Sequence, residues 1–168
     1  SVDENGKVTA KAGGTAVITA TSAAGKTAQY KLTVKTPSVK LNASAKTLYV
    51  KGSPATVTLK ATTAGVTGKV TYTSSKPSVV AVAANGKVTA KAAGTAVITA
   101  KCGNYKVTCK ITVKKPSVKA SASAKTVFVG GTSQIKVKKT GVSGKVTYTS
   151  SNKSVAVVSA GGKVTAKK

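Results

Sequence analysis

From Lys106 to Lys114 the chain reads KVTCKITVK, and its apolar and polar positions alternate without a break. Val107, Cys109, Ile111 and Val113 fall on one side of an extended segment. Lys106, Thr108, Lys110, Thr112 and Lys114 fall on the other. Successive side chains of a strand point to opposite faces, so this period of two predicts a half-buried strand with a solvated outer face. The same texture recurs in KTLYVKG (46–52), ATVTLKATT (55–63), KVTYTSS (69–75), SVVAV (78–82), KVTAKA (87–92) and TAVITAK (95–101). Gly, Asn, Pro and Ser punctuate these runs, and Asn85-Gly86 is a strong hairpin signal because both residues take positive φ readily. No segment sustains a helical period. Seven short strands with closely spaced turns predict an all-β fold, a two-sheet sandwich. The inward set predicted from parity is Val50, Val57, Leu59, Val70, Tyr72, Val82, Val88, Ile98, Ile111 and Val113.

The strand pattern is written more than once. NGKVTAKAAGTAVITA (Asn85–Ala100) also occurs at Asn5–Ala20 with one change, Gly13 for Ala93, and its first half returns as GGKVTAKK at the end of the chain. Val34–Gly52 matches Val113–Gly131 at an offset of 79, and Gly68–Val82 matches Gly144–Val158 at 76, so the last copy has lost three residues between those stretches. One unit is about 80 residues, too long for a solenoid coil and right for a small domain. The division predicted is residues 1–35 as the closing strands of one module, 36–114 as a whole module and 115–168 as the opening strands of a further one. On this reading the sequence is a window on a longer array. The alternative is head-to-tail self-assembly, in which residues 1–35 of one copy complete 115–168 of another. Ser1–Ala12 and Val157–Lys168 would then compete for the same module positions.

Charge changes the picture less than its size implies. The 168 residues contain 28 Lys, no Arg or His, and only Asp3 and Glu4 as acids, a net charge of +26. Lysines on outward and edge positions solvate strands and keep their edges from pairing with other chains. The competing reading is an anionic partner. For nucleic acid there is no Arg to read bases bidentately, and of the aromatics only Tyr30, Tyr49, Tyr105 and Phe128 are predicted at the surface, so any binding would be non-specific and salt-sensitive. No apolar run is long enough for a membrane-spanning helix.

One longer stretch carries a resemblance. TYTSSKPSVVAVAANGKVTAKAAGTAVITAK (Thr71–Lys101), followed by CKITV (Cys109–Val113), resembles the bacterial immunoglobulin-like group 2 (BIG2) family. That family carries an aromatic before Ser-Ser-x-Pro-Ser-Val-Ala, then Gly-Lys-Val-Thr-Ala and Gly-Thr-Ala-x-Ile-Thr-Ala. Tyr72 and Tyr148 stand where it usually has a core Trp, and Lys76 and the Asn152-Lys153 pair replace its usual Asp-Pro. The resemblance implies tandem immunoglobulin-like β-sandwich modules of a bacterial cell-surface or extracellular protein, with adhesive, stalk or spacer roles. The partners expected are neighbouring modules of the same array and a host-surface ligand; the charge offers as the alternative a polycationic binding module for an anionic cell-wall polymer, glycan or nucleic acid.

The inventory of reactive side chains points away from an enzyme. General acid–base catalysis calls for His, paired carboxylates or a tuned Lys, and residues 36–114 hold neither His nor an acid. A Ser–Lys dyad is the one formal escape, and in a chain so rich in both residues proximity arises by chance. Two Cys and two adjacent acids cannot make a zinc site, and Asp3, Glu4 and Asn5 read as a hairpin turn in preference to a calcium loop. No cofactor or metal is expected. Asn42-Ala-Ser and Asn152-Lys-Ser match the glycosylation pattern, as chance allows in such a composition.

Cys102 and Cys109 are the one distinctive pair. Both point inward by parity, and they flank the hairpin CGNYKVTC. A register that sets them opposite each other allows a cross-strand disulfide. A two-residue turn at Gly103-Asn104 puts them about four residues out of register, roughly 13 Å apart, which leaves buried thiols. Parity alone leaves both registers open.

Overall fold

The computed structural model describes residues 1–167; Lys168, the final residue of the third segment, lies outside them. Among the described residues there are fifteen strands and no helix. They are β1 (Gly14–Thr21), β2 (Thr27–Val34), β3 (Ser38–Leu41), β4 (Ala45–Tyr49), β5 (Thr56–Thr58), β6 (Ala61–Ala64), β7 (Thr71–Ser74), β8 (Val80–Val82), β9 (Lys87–Ala90), β10 (Gly94–Cys102), β11 (Tyr105–Lys114), β12 (Ser117–Ala122), β13 (Thr132–Thr140), β14 (Ala156–Val158) and β15 (Lys163–Ala166).

Residues 38–114 form two facing layers. One is the four-stranded sheet β4-β11-β10-β7, in which β4 runs parallel to β11 and the other pairs are antiparallel. The other layer is made of β3-β6 and β5-β9-β8. Between them lies a core of Leu48, Leu59, Val80, Val88, Ala96, Ile98, Cys109, Ile111 and Val113, each at most 3% exposed. Removing such side chains from water is the main favourable term in folding. Of the ten positions predicted inward, Leu59, Val88, Ile98, Ile111 and Val113 are fully buried, and Val50, Val57, Tyr72 and Val82 pack half-buried against the cluster. Val70 is half-buried but lies outside that cluster. Leu48, Val80 and Ala96 complete the core, all on the inward parity of their strands.

One expectation is corrected. ATVTLKATT is not one strand: it breaks at Leu59-Lys60, and β5 joins β9 while β6 crosses to β3. At the break, side chains from elsewhere in the chain take up the backbone groups. The Asn42 carbonyl oxygen accepts from Lys60 N at 3.0 Å, its amide donates to Thr58 O at 3.3 Å, and the Tyr72 hydroxyl accepts from Ala61 N at 3.1 Å. The connections between segments are short. Pro37 and Pro116 each lead straight into a strand, β3 and β12, so only Lys115 and Pro116 separate β11 from β12.

The flanking segments carry the same motifs in a different state. Residues 14–34 form the hairpin β1-β2, whose Ile18 is half-buried and whose Val17 and Tyr30 are 55% and 68% exposed. Residues 117–166 form one four-stranded sheet, β12-β13-β15-β14. Ser121 stands where Asn42 does, too short to bridge a break, and β13 runs on unbroken as the counterpart of β5 and β6 together.

Candidate functional site and relation to known proteins

The cysteine hairpin resolves by its turn. Cys102 pairs with Tyr105 across Gly103-Asn104, and Gly103 takes φ 55°, the left-handed conformation a tight turn requires. Cys109 therefore lies opposite Ile98, and the two thiols are free and buried. The Cys102 Sγ contacts the carbonyl oxygen of Gly68 at 3.3 Å, a weak S–H donor satisfied locally. Burial pushes the Cys109 thiol above its ordinary pKa of 9.0, opposed by the positive charge of Lys46. A desolvated, protonated thiol is a small apolar core residue and a poor nucleophile.

The acidic turn is occupied by its own backbone. The Asp3 carboxylate accepts from Asn5 N at 3.1 Å and Lys7 N at 2.8 Å, closing the bridge between Val2 and Val8. No group of three or more metal-ligating side chains occurs among the described residues. The two Asn-x-Ser sites are likewise engaged: Asn42 holds the β5–β6 break, and the Asn152 carbonyl oxygen caps a turn by accepting from Ser154 N and Val155 N.

Lysines occupy both outer faces of the middle segment. Lys101, Lys106, Lys110 and Lys114 lie on the β10-β11 side, while Lys40 and Lys87 lie on the opposite layer. Lys101 and Lys106 are direct cross-strand partners, as are Lys119 and Lys138 in the third segment. Like charges set opposite each other are mildly destabilising. Two further features mark these surfaces. One is a groove of about 220 Å³ in the third segment bounded by Ile135, Tyr148, Ala156, Val158 and Val164. These are the counterparts of Leu59, Tyr72, Val80, Val82 and Val88, so the groove marks the place that β10 and β11 fill in the middle segment. The repeat alignment held that signal. The other is a contact between segments at Tyr49 and Gly141, which nothing in the local sequence announces.

The family model described as "Bacterial Ig-like domain" matches residues 68–115, and that described as "Bacterial Ig-like domain (group 2)" matches 111–168. The two lie in tandem. Over residues 68–168 the chain belongs to the bacterial Ig-like domains. No curated protein sequence matches the chain. Among solved structures, surface layer protein SbsC, domains 1–6, is similar at a TM-score of 0.53 and 20% identity over 99% of this chain and 33% of that one. The S-layer protein rSbsC(31-844) gives 0.53 and 21%, again over 99% of this chain and 33% of that one. SbsC domains 4 and 5 give 0.51 and 24% over 80% of this chain and 87% of that one. The chain thus spans about a third of the length of the first two. At these identities the likeness is one of fold.

Proposed function

We propose that the chain is a non-catalytic structural segment, a stalk or spacer of a bacterial surface or secreted protein, built from tandem Ig-like modules with residues 36–114 as one complete module. The observation that carries this reading is the junction. Two bacterial Ig-like matches meet at residues 111–115, and only Lys115 and Pro116 stand between the last strand of one segment and the first of the next. A two-residue connection containing Pro leaves little slack. Neighbouring modules are the partners this arrangement supports directly. The surface or extracellular setting is supported by the bacterial Ig-like family, and the spread of lysines over both outer faces favours solvation over a single polyanion-binding track. Small-angle X-ray scattering tests the proposal: an elongated profile is expected, and a compact, near-spherical one overturns it.

A second reading rests on the groove of the third segment. The hairpin β1-β2 is already folded, and β1 repeats the sequence of β10, so a second copy's β1-β2 could seat there and build a filament by strand donation. Deleting residues 1–35 separates the two readings. A chain that is oligomeric when whole and monomeric after the deletion supports donation; monomers in both forms support the spacer alone.

A further inference from the structure

The contact between the middle and third segments is built from positions that repeat along the sequence. At the end of β4 the chain turns through Tyr49–Pro54, and this turn is tied down twice within its own segment: Tyr49 N donates to Pro54 O at 2.8 Å, and Val50 N donates to Lys114 O at 3.0 Å, at the very end of β11. The turn is therefore a rigid feature of the face from which the chain leaves for the next segment. Across the junction it meets the loop Gly141–Gly144, which follows β13. Ser53 N donates to Gly141 O at 3.0 Å, a main-chain hydrogen bond between segments. The Tyr49 ring lies directly on Gly141, so that a β-carbon there would run into the ring. Gly52 backs onto the same place: a β-carbon on it would sit 2.6 Å from Pro116 Cγ and would collide with Gly141 O.

Three constraints thus converge on one small seam. An aromatic ring covers a glycine, a second glycine admits the junction proline, and one hydrogen bond sets the register between them. The middle segment carries the same loop one repeat earlier. Gly65-Val66-Thr67-Gly68 corresponds to Gly141-Val142-Ser143-Gly144, and Gly65 takes φ 62° where Gly141 takes 65°. A β-carbon at Gly65, however, would meet only Pro37, at an ordinary 3.6 Å. The backbone shape of the loop is therefore intrinsic to the repeat, and the ring over Gly141 is the added element.

We propose that the Tyr49–Ser53 turn is a docking surface for the Gly-Val-Ser/Thr-Gly loop of the module that follows it, and that this seam fixes the angle between the two segments as one rigid body. The proposal rests on the spacer reading and adds to it the surface by which neighbouring modules recognise each other. Short linkage alone limits separation but not rotation; the seam removes the rotation.

The test uses residual dipolar couplings of the whole chain, which report whether residues 38–114 and 117–166 share one alignment tensor. The wild-type chain is expected to fit a single tensor. Gly141→Ala forces the ring away and is expected to yield two tensors, with each segment's internal couplings unchanged. Gly65→Ala imposes the same positive-φ strain on the same loop without an overlying ring, so it should keep the single tensor. Tyr49→Ala removes the ring and should also release the segments. Independent tensors in the wild-type chain, or a single tensor retained in both Gly141→Ala and Tyr49→Ala, overturn the seam. Its failure is separable from that of the spacer: an elongated scattering profile with independent tensors removes only the seam, whereas a compact profile removes the spacer reading whatever the couplings show.

Discussion

Thr71–Ser74 and Thr147–Ser150 both read TYTS, each followed by serine, yet only the first is a strand. In the middle segment TYTS is β7 and pairs with β10 from Thr71↔Lys101 to Ser74↔Ile98. In the third segment no counterpart of β10 is present, and the same residues stay outside the sheet. KTLY and KTVF behave alike: β4 pairs with β11, whereas Lys125–Phe128 form no strand and Phe128 is 93% exposed. The strands that keep their pairing in both segments are those of the β3-β6/β5-β9-β8 layer, whose partners are present in each segment. The difference teaches that strand propensity here is permissive and that the closing hairpin is decisive. Propensity measures fit to a pleated, half-buried surface, and without β10 and β11 that surface does not exist.

The comparison can be broken most severely at the closing hairpin. Ile98→Ala removes a fully buried side chain from the cluster and should cost about 2–5 kcal/mol, enough in a small module to shift a urea midpoint far or unfold it. Ile18→Ala changes the corresponding residue of β1, which is half-buried in an uncovered hairpin, and should leave the same transition in place. Equal losses from both substitutions would mean that β1-β2 is covered in solution.

A smaller effect is expected at the break between β5 and β6. Tyr72→Phe withdraws the hydroxyl that accepts from Ala61 N and should destabilise by about 1 kcal/mol. Asn42→Ser imports the residue found at Ser121; if the amide is what ends β5, amide protons of Leu59–Ala61 should change their exchange protection as the strand runs through. Hydrogen exchange also reads the comparison without mutation: amides of Thr71–Ser74 that pair with β10 should be protected, and those of Thr147–Ser150 should exchange quickly.

The smallest effect is a pH dependence. Because burial raises the Cys109 pKa in the folded chain, the unfolded thiol loses its proton first as pH rises. The folded state then binds more protons, and stability falls above roughly the ordinary thiol value. The measurement is the difference between the wild-type chain and Cys109→Ala in unfolding free energy from neutral pH to about 10. The wild type should lose ground relative to the variant; parallel curves would show that the thiol is not desolvated.

Much of this architecture was legible in the sequence, because parity and turn chemistry are local. The alternation of β11, the inward placement of Ile98, Cys109 and Ile111, and the repeat length all follow from neighbouring residues. The cysteine register needed only the knowledge of which turn Gly103-Asn104 makes. What escaped depends on residues far apart in the chain. The break at Leu59-Lys60 is held by Asn42 and Tyr72, and the seam joins Tyr49 to Gly141. The groove was legible by another route: the repeat alignment leaves residues 115–168 without counterparts of β10 and β11, so Tyr148 and Val164 line an uncovered face.

The parallel pairing of β4 with β11 has a consequence for a segment under load. Tension along the chain enters the middle segment near Pro37 and leaves it near Lys114, pulling these neighbouring strands in opposite directions along their length. Five residue pairs, Ala45↔Lys110 to Tyr49↔Lys114, then resist sliding together and do not peel one at a time. Forced unfolding is governed by the height of that barrier and not by equilibrium stability. A module with a modest core can therefore be mechanically stubborn, a clamp whose strength comes from the direction in which it is pulled.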